Sequence, residues 1–215
     1  MIRPTVLALL VLAACTSGGS PQPMLPVTPI SSSPTPLEHP KGYDDLFPSV
    51  YDPGGVPSSL RRPLRLPAVS SGGSCPTSPA RTISRHFAPA VGSGPVYAVI
   101  PNGEVKFQYP PPKQSLFSGT GWGGQKVLWV VRTTYRGPVL VRGGRIDGSG
   151  RLGFQGDGGP FFDELQLPPP SSLDAHQAWQ EIPTELILRS AGCYAFQADG
   201  TNFSEVVVFR AVETP

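Results

Sequence analysis

Proline and glycine recur along the whole chain and restrict it to short elements of secondary structure. The 215 residues include 28 Pro and 25 Gly. A proline inside a helix costs about 3 kcal/mol, because it removes a backbone hydrogen bond and clashes with the preceding turn. The long helices of a bundle are therefore excluded. The 10 Phe, 6 Tyr and 3 Trp argue against a wholly disordered chain, so we expect one loose part and one folded part.

The charge balance excludes one class of partner. The chain carries 17 basic and 15 acidic side chains, a formal net charge of +2, and neither half is strongly basic. Without a strong positive field, the chain is not expected to bind nucleic acid.

Residues 1–14 predict a secretory signal peptide. Arg3 precedes an apolar run at residues 6–14, which is much shorter than the roughly 20 residues of a membrane-spanning helix. A basic start followed by a short apolar stretch is typical of a signal peptide.

The end of this segment, Leu12-Ala13-Ala14-Cys15, resembles the lipobox of bacterial lipoproteins. The resemblance implies that the Cys15 thiol is diacylglycerated, with chains such as palmitate, and that cleavage precedes it. The mature protein would then be lipid-anchored on the extracytoplasmic side of a bacterial cell membrane. Position 16 is Thr rather than Asp, so nothing favours inner-membrane retention. The alternative is an ordinary secreted protein with a chance cysteine at this place.

Residues 15–61 are predicted to link the lipid anchor to a folded domain. Seven prolines fall within residues 21–40, and each fixes its own φ and biases its predecessor toward extended geometry. A semi-rigid spacer is expected. Two aromatic segments, 43–47 and 49–52, interrupt this composition. They are either a short motif for a partner or a segment that packs back on the domain.

Residues 62–215 are predicted to form an all-β domain, an antiparallel β-sandwich of immunoglobulin-like type, with a β-barrel as the alternative. Turn residues separate short β-rich runs at a spacing typical of a sandwich, and the runs lie at 96–100, 104–109, 126–132, 138–142, 151–154, 161–167, 184–189, 193–197 and 203–209. Asn102-Gly103 and Asp199-Gly200 predict hairpins. Gly143-Gly144 is expected to end a strand, and only residues 171–180 favour a helical turn.

The two cysteines that remain beside Cys15 predict a disulfide. An exported chain lies in an oxidising environment, where Cys75 and Cys193 are expected to bridge. The bridge would close a loop of 118 residues (193 minus 75), worth about 4–5 kcal/mol in the chain-entropy model. Two free thiols are the alternative. The order Cys75, Trp129, Cys193 is similar to the immunoglobulin pattern, although the surroundings of Cys75 do not indicate a central strand.

Several motifs make residues 62–215 similar to a group of uncharacterised exported bacterial proteins. They lie at residues 62–67, 75–76, 94–97, 135–143 and 192–200. The resemblance implies the limits of the domain and an exported location, and it implies no activity.

No motif indicates a catalytic, metal or cofactor site. His39, His86 and His176 lack metal-ligand spacing, and Asp163 and Glu164 are neighbours on a strand, so their side chains point to opposite faces. We therefore predict no catalytic residue, no metal and no cofactor. The alternative is a cell-envelope hydrolase with an unrecognised site around His86, His176 and Asp163.

Trp122, within the glycine-rich residues 119–124, is the one loop residue that suggests a binding site. An exposed tryptophan at a loop tip can hold a sugar or a protein partner, and Tyr135 and Arg136 could join it. In the other interpretation Trp122 folds onto the core. Trp122, Tyr135 and Arg136 are therefore candidate binding residues, with an envelope protein or a glycan as ligand.

The function that we favour from the sequence is a non-enzymatic binding or structural module held at the membrane by its lipid anchor. Besides the hydrolase, the chain could act as a sensor or inhibitory partner in an envelope complex, through the Trp122 loop.

Overall fold

The computed structural model describes residues 57–156, 161–171 and 177–215. The signal peptide, Cys15, the linker up to residue 56 with its two aromatic segments, and His176 lie outside these residues. No helix among the described residues has the length and apolar character needed to cross a membrane.

Ten strands of the described chain form two sheets of five strands each. In chain order they are β1 to β10: Val96–Ala98, Glu104–Phe107, Gly123–Arg132, Val139–Arg145, Gly153–Gly156, Phe161–Phe162, Glu164–Leu167, Trp179–Leu188, Gly192–Gly200 and Ser204–Glu213. The first sheet has the order β1-β3-β8-β5-β6 and the second β2-β10-β9-β4-β7. The predicted β-sandwich is confirmed, while its immunoglobulin-like character stays a prediction. Against expectation one pair, β2 with β10, is parallel.

The main hydrophobic core lies between the two sheets. Alternate residues of β3 (Val127, Trp129 and Val131) and of β9 (Tyr194 and Phe196) are buried in it, as the period of two in a strand requires. The rings of Trp129 and Phe196 meet edge to face at 5.1 Å. Trp129 also donates its indole N–H to the Thr184 hydroxyl at 2.9 Å, so the polar atom of the largest buried side chain is satisfied.

Only one of the two predicted hairpins forms. β9 and β10 pair as expected, with the turn at residues 201–203, one step beyond Asp199-Gly200. The Asn102-Gly103 turn also forms, with φ of 57° and 65°, but the strands on either side of it enter different sheets. A turn motif fixes the local backbone and leaves the choice of strand partner open, so the prediction of this hairpin is wrong.

Two further predictions about element limits are wrong. β4 continues through Gly143-Gly144 to Arg145, because glycine here lets two backbones approach. A Cβ on Gly143 would lie 2.8 Å from the Cα of Phe196 and closer still to the carbonyl oxygen of Ala195. Trp179 and Gln180, expected at the end of a helical turn, begin β8 instead.

An irregular segment, residues 57–78, covers the outer face of the second sheet; we call it the arm. It begins near a short 3-10 helix, Ser58–Leu60, whose Leu60 is fully buried. Its backbone N–H groups at Val69 and Ser78 donate to the carbonyls of Ile146 and Val208. This sheet is therefore covered on both faces.

Alanine at Gly143 should destabilise the fold, whereas alanine at Gly144 should not. The Gly143→Ala methyl would overlap the β9 backbone, and overpacking of this kind typically costs about 1–3 kcal/mol. The nearest atom to a Cβ on Gly144 is 3.6 Å away. Urea unfolding of both variants, with the disulfide intact, gives the two free energies; equal values would contradict the close approach.

Candidate functional site

A buried carboxylate, that of Asp199, holds the arm to the second sheet. Asp199 is 0% exposed, on the outer face of β9. Its oxygens lie 3.0 Å from Arg142 of β4 and 3.5 Å from Arg62 of the arm. They also accept hydrogen bonds from Gln197 and Ser204. A buried carboxylate needs such partners, because leaving water is costly for an unpaired charge.

A second buried carboxylate, that of Glu164 on β7, binds the arm in the same way. Its partner is Arg61, the residue before Arg62 in the arm. Glu164 is 3% exposed and accepts both guanidinium hydrogen bonds of Arg61, at 2.6 and 2.9 Å. Paired contacts of this kind between arginine and a carboxylate are strong and directional. We call Arg61, Arg62, Arg142, Glu164 and Asp199 the clamp.

The predicted disulfide between Cys75 and Cys193 is confirmed, with a Cα–Cα distance of 5.4 Å. It joins the last third of the arm to the start of β9, on the outer face of the second sheet. It therefore does not link the two sheets. The arm is held at both of its ends, by the clamp at one and by a covalent bond at the other.

These attachments give the sandwich two distinct ends. Arg62 donates to the carbonyls of Gly200 and Phe203 beside the β9–β10 turn, which we call the arm end. Gly192, the first residue of β9, lies about 27 Å away at about 3.4 Å per residue. β2, β8 and β10 all finish near Gly192; we call this the far end.

A cleft of about 570 Å³ lies beside the disulfide toward the far end; we call it the disulfide cleft. Its polar side chains are Ser74, Thr77, Asn102, Asp147 and Arg210. Both charges are already paired, Asp147 with Arg145 at 2.6 Å and Arg210 with Glu104 at 2.5 Å. The hydrogen bond from Arg145 holds the pKa of Asp147 below its usual value.

A smaller cleft of about 270 Å³ opens at the far end, between the end of β2 and the loop that follows it; we call it the loop cleft. Its polar side chains come from β2, the loop and the end of the chain. Its apolar walls are two phenylalanines and two prolines. In all it is lined by Lys106, Phe107, Gln108, Pro111, Pro112, Ser115, Phe117, Gly124 and Thr214.

The structure does not bring the three candidate binding residues together. Trp122 is 2% exposed and packs with Phe117 and Phe161, beneath the Arg189 guanidinium at 4.2 Å. The interpretation with an exposed Trp122 is therefore wrong, because this ring completes a small core of its own.

Tyr135 and Arg136 lie at the other end of the 10-residue β3, about 30 Å from Trp122. The Tyr135 ring is buried, and its hydroxyl donates to the Pro138 carbonyl and accepts from the Thr201 N–H. It braces the β3–β4 loop against the β9–β10 turn. Arg136 is exposed.

The side chains of the alternative hydrolase are also far apart. His86 is exposed beside Phe87, whose ring contacts Trp179 at the start of β8. Asp163 follows Phe162, which pairs across β5 at the level of Leu186 on β8. Trp179 and Leu186 are about 24 Å apart along β8. A site that joins His86 to Asp163 is therefore excluded, and His176 lies outside the described residues.

Sequence reasoning does not find the clamp. Asp199 precedes a glycine and so favours a turn, and Arg61 lies at the end of the predicted linker. The available signal is Glu164, which with Asp163 is one of two charges in the β-rich run 161–167, because a charged residue on a buried strand requires a partner.

Comparison of the chain with family models, with curated proteins and with solved structures gives no match. The clefts must therefore be interpreted from their own chemistry.

Removing the charge of Asp199 should destabilise the domain strongly. Asp199→Asn leaves Arg62 and Arg142 without their carboxylate, and breaking a buried pair costs about 3 kcal/mol or more. Glu104→Gln is the control, since its pair with Arg210 is more exposed and should be worth less than about 1 kcal/mol. Urea unfolding gives the free energy of unfolding of both variants. Similar losses would show that the Asp199 pairs stabilise the domain no more than an exposed ion pair does.

Two aspartates should affect acid stability with opposite sign. The folded pKa of Asp147 is lowered, so its contribution is present above the unfolded value and is lost as pH falls through the folded pKa. Burial raises the pKa of Asp163, so its contribution increases as pH falls. Asp147→Asn should therefore flatten the loss of stability below about pH 4, whereas Asp163→Asn should remove a gain in stability that the wild type makes as pH falls toward about 4. Thermal unfolding at a series of pH values tests both; a shift of the same sign would contradict the assignment.

Proposed function

We propose that the protein is a lipid-anchored, extracytoplasmic lipoprotein that presents a non-enzymatic β-sandwich as a binding module. The anchor is Cys15, through the lipobox at residues 12–15, and the proline-rich linker lifts the domain from the membrane. One structural observation carries the proposal: Arg61 and Arg62, at the start of the arm, are fastened at one end of the sandwich, while both clefts lie toward the other.

The arm is suited to join a domain to a tether. Tension applied at residue 57 would first meet the buried Leu60, then the Arg61–Glu164 and Arg62–Asp199 pairs, and finally the covalent bond at Cys75. These contacts attach the tether to β7 at the edge of the second sheet and to β9 at its centre.

The contents of the clefts favour binding over catalysis. In the disulfide cleft Asp147 and Arg210 are each engaged by a fixed partner, so they are positioned to hold a shape rather than to exchange protons. In the loop cleft, hydroxyl and amide groups lie against apolar walls. A few placed polar groups among apolar surfaces are typical of ligand sites.

Lipidation should depend on Cys15 alone. In cells grown with an alkyne-tagged palmitate, the wild-type chain and Cys75→Ser should both take up the label, whereas Cys15→Ser should not. The two variants each lose one cysteine, so they are matched. Detergent phase partitioning should place the labelled forms in the detergent phase. Label retained by Cys15→Ser, or absent from the wild type, would overturn the anchor.

A further inference from the structure

We propose that the loop cleft binds a single saccharide unit that carries a carboxylate, as part of an acidic glycan. This inference rests on the proposed function, because it names the ligand class that the anchored module would take.

The size and walls of the cleft suit one sugar ring. Its volume of about 270 Å³ lies near the lower limit of about 300 Å³ for ligand pockets, which suits a small ligand such as one sugar ring. Pro111 is partly exposed and Pro112 is exposed, and these two rings form the accessible apolar wall beside the buried Phe107 and Phe117. The C–H faces of a sugar ring pack well on such flat apolar surfaces.

Two hydroxyls in the cleft complement the hydroxyls of a sugar. Ser115 Oγ accepts the Phe117 N–H at 3.0 Å, which leaves its own hydrogen to donate to a ligand. Thr214 Oγ1 donates to the Phe107 carbonyl at 3.2 Å, which leaves its lone pairs to accept. Because a sugar hydroxyl both donates and accepts, this pair of groups can hold it in a defined orientation.

Lys106 supplies the charge that selects a carboxylate. Its side chain is 66% exposed, and its ammonium lies 3.8 Å from Glu104. Glu104 is held more closely by Arg210, at 2.5 Å, so Lys106 can turn to a ligand. Among the described residues that line the cleft, Lys106 is the one cation and none is acidic.

The edge of the sheet beside the cleft disfavours an extended peptide. Peptides that bind at a sheet edge add a strand by backbone hydrogen bonds. The N–H of Lys106 on the edge strand β2 is already bonded to the Gln125 side chain at 2.5 Å, which closes this position to a new strand. Tyr109 and Leu116, 37% and 53% exposed on the same loop, extend the apolar surface for neighbouring units of a glycan.

The test is a titration by saturation-transfer NMR on the full chain, held in a non-ionic detergent that has no sugar headgroup. The probes are D-glucuronate, its neutral methyl ester, D-glucose and acetate. We expect glucuronate to bind about three- to fivefold more tightly than glucose or the ester, as one exposed charge contact allows. Acetate, which has no ring, should compete far more weakly.

Two variants that each remove one positive charge, one at a lysine and one at an arginine, locate the preference for glucuronate. Lys106→Gln should bind glucuronate and glucose equally, whereas Arg136→Gln, the same loss of charge at the arm end, should keep the preference. Ser115→Ala should weaken both sugars. Equal binding of glucuronate and its ester by the wild type, a preference that survives in Lys106→Gln, or full competition by acetate would each overturn the inference.

The two proposals fail separately. Palmitate label at Cys15 with no preference for glucuronate would refute the sugar site alone. A preference for glucuronate in a chain that takes up no label would refute the anchor alone.

Discussion

The pairing of the Asp199 carboxylate with Arg62 and Arg142 is the interaction on which the arrangement of this domain depends. Asp199 lies on the outer face of a sheet, where a side chain would ordinarily meet water, yet it is fully buried. It tolerates this position because one arginine comes from the neighbouring strand and one from the arm. The arm therefore belongs to the fold, since without it the polar outer face of the second sheet would lose both its cover and its partners.

The composition of the arm fits this role. An irregular segment laid over a sheet has to satisfy its own backbone N–H groups, and each proline removes one donor from that requirement. Pro63 and Pro67 are exposed, while the carbonyl of Pro63 accepts from the buried Gln197 and the N–H of Arg65 donates to it. The high proline content that excludes helices thus also leaves fewer backbone N–H groups of the covering segment without a hydrogen-bond partner.

Sequence patterns predict the local features of this fold well and its long-range pairings poorly. The alternation in residues 104–107, the strand at 126–132 and the β9–β10 hairpin follow from period and turn chemistry, and the disulfide follows from counting cysteines. The parallel pairing of β2 with β10 does not, because it joins segments about a hundred residues apart. The same residue types also serve two purposes: Asp199 resembles a turn residue and acts as a buried anchor, and Gly143 resembles a strand end and permits a close approach.

The candidate binding residues and the clefts likewise depend on long-range contacts that local sequence patterns do not predict. Trp122 and its flanking glycines fit an exposed loop tip and a buried plug equally well, and only the positions of Phe117, Phe161 and Arg189 decide for the plug. The loop cleft has no local signature, because its lining comes from β2, a loop, β3 and the last residues of the chain.

The three tryptophans consequently sit in three separate surroundings, and the molecule carries its own optical reporters. Trp129 is sealed in the central core with its indole N–H bonded to Thr184. Trp179 lies under the Arg132 guanidinium at one end of the sandwich, and Trp122 lies under Arg189 at the other. A nearby cation shifts and quenches indole emission differently from a dry apolar cage, so single-tryptophan variants would report on the centre and on each end independently, without any attached dye.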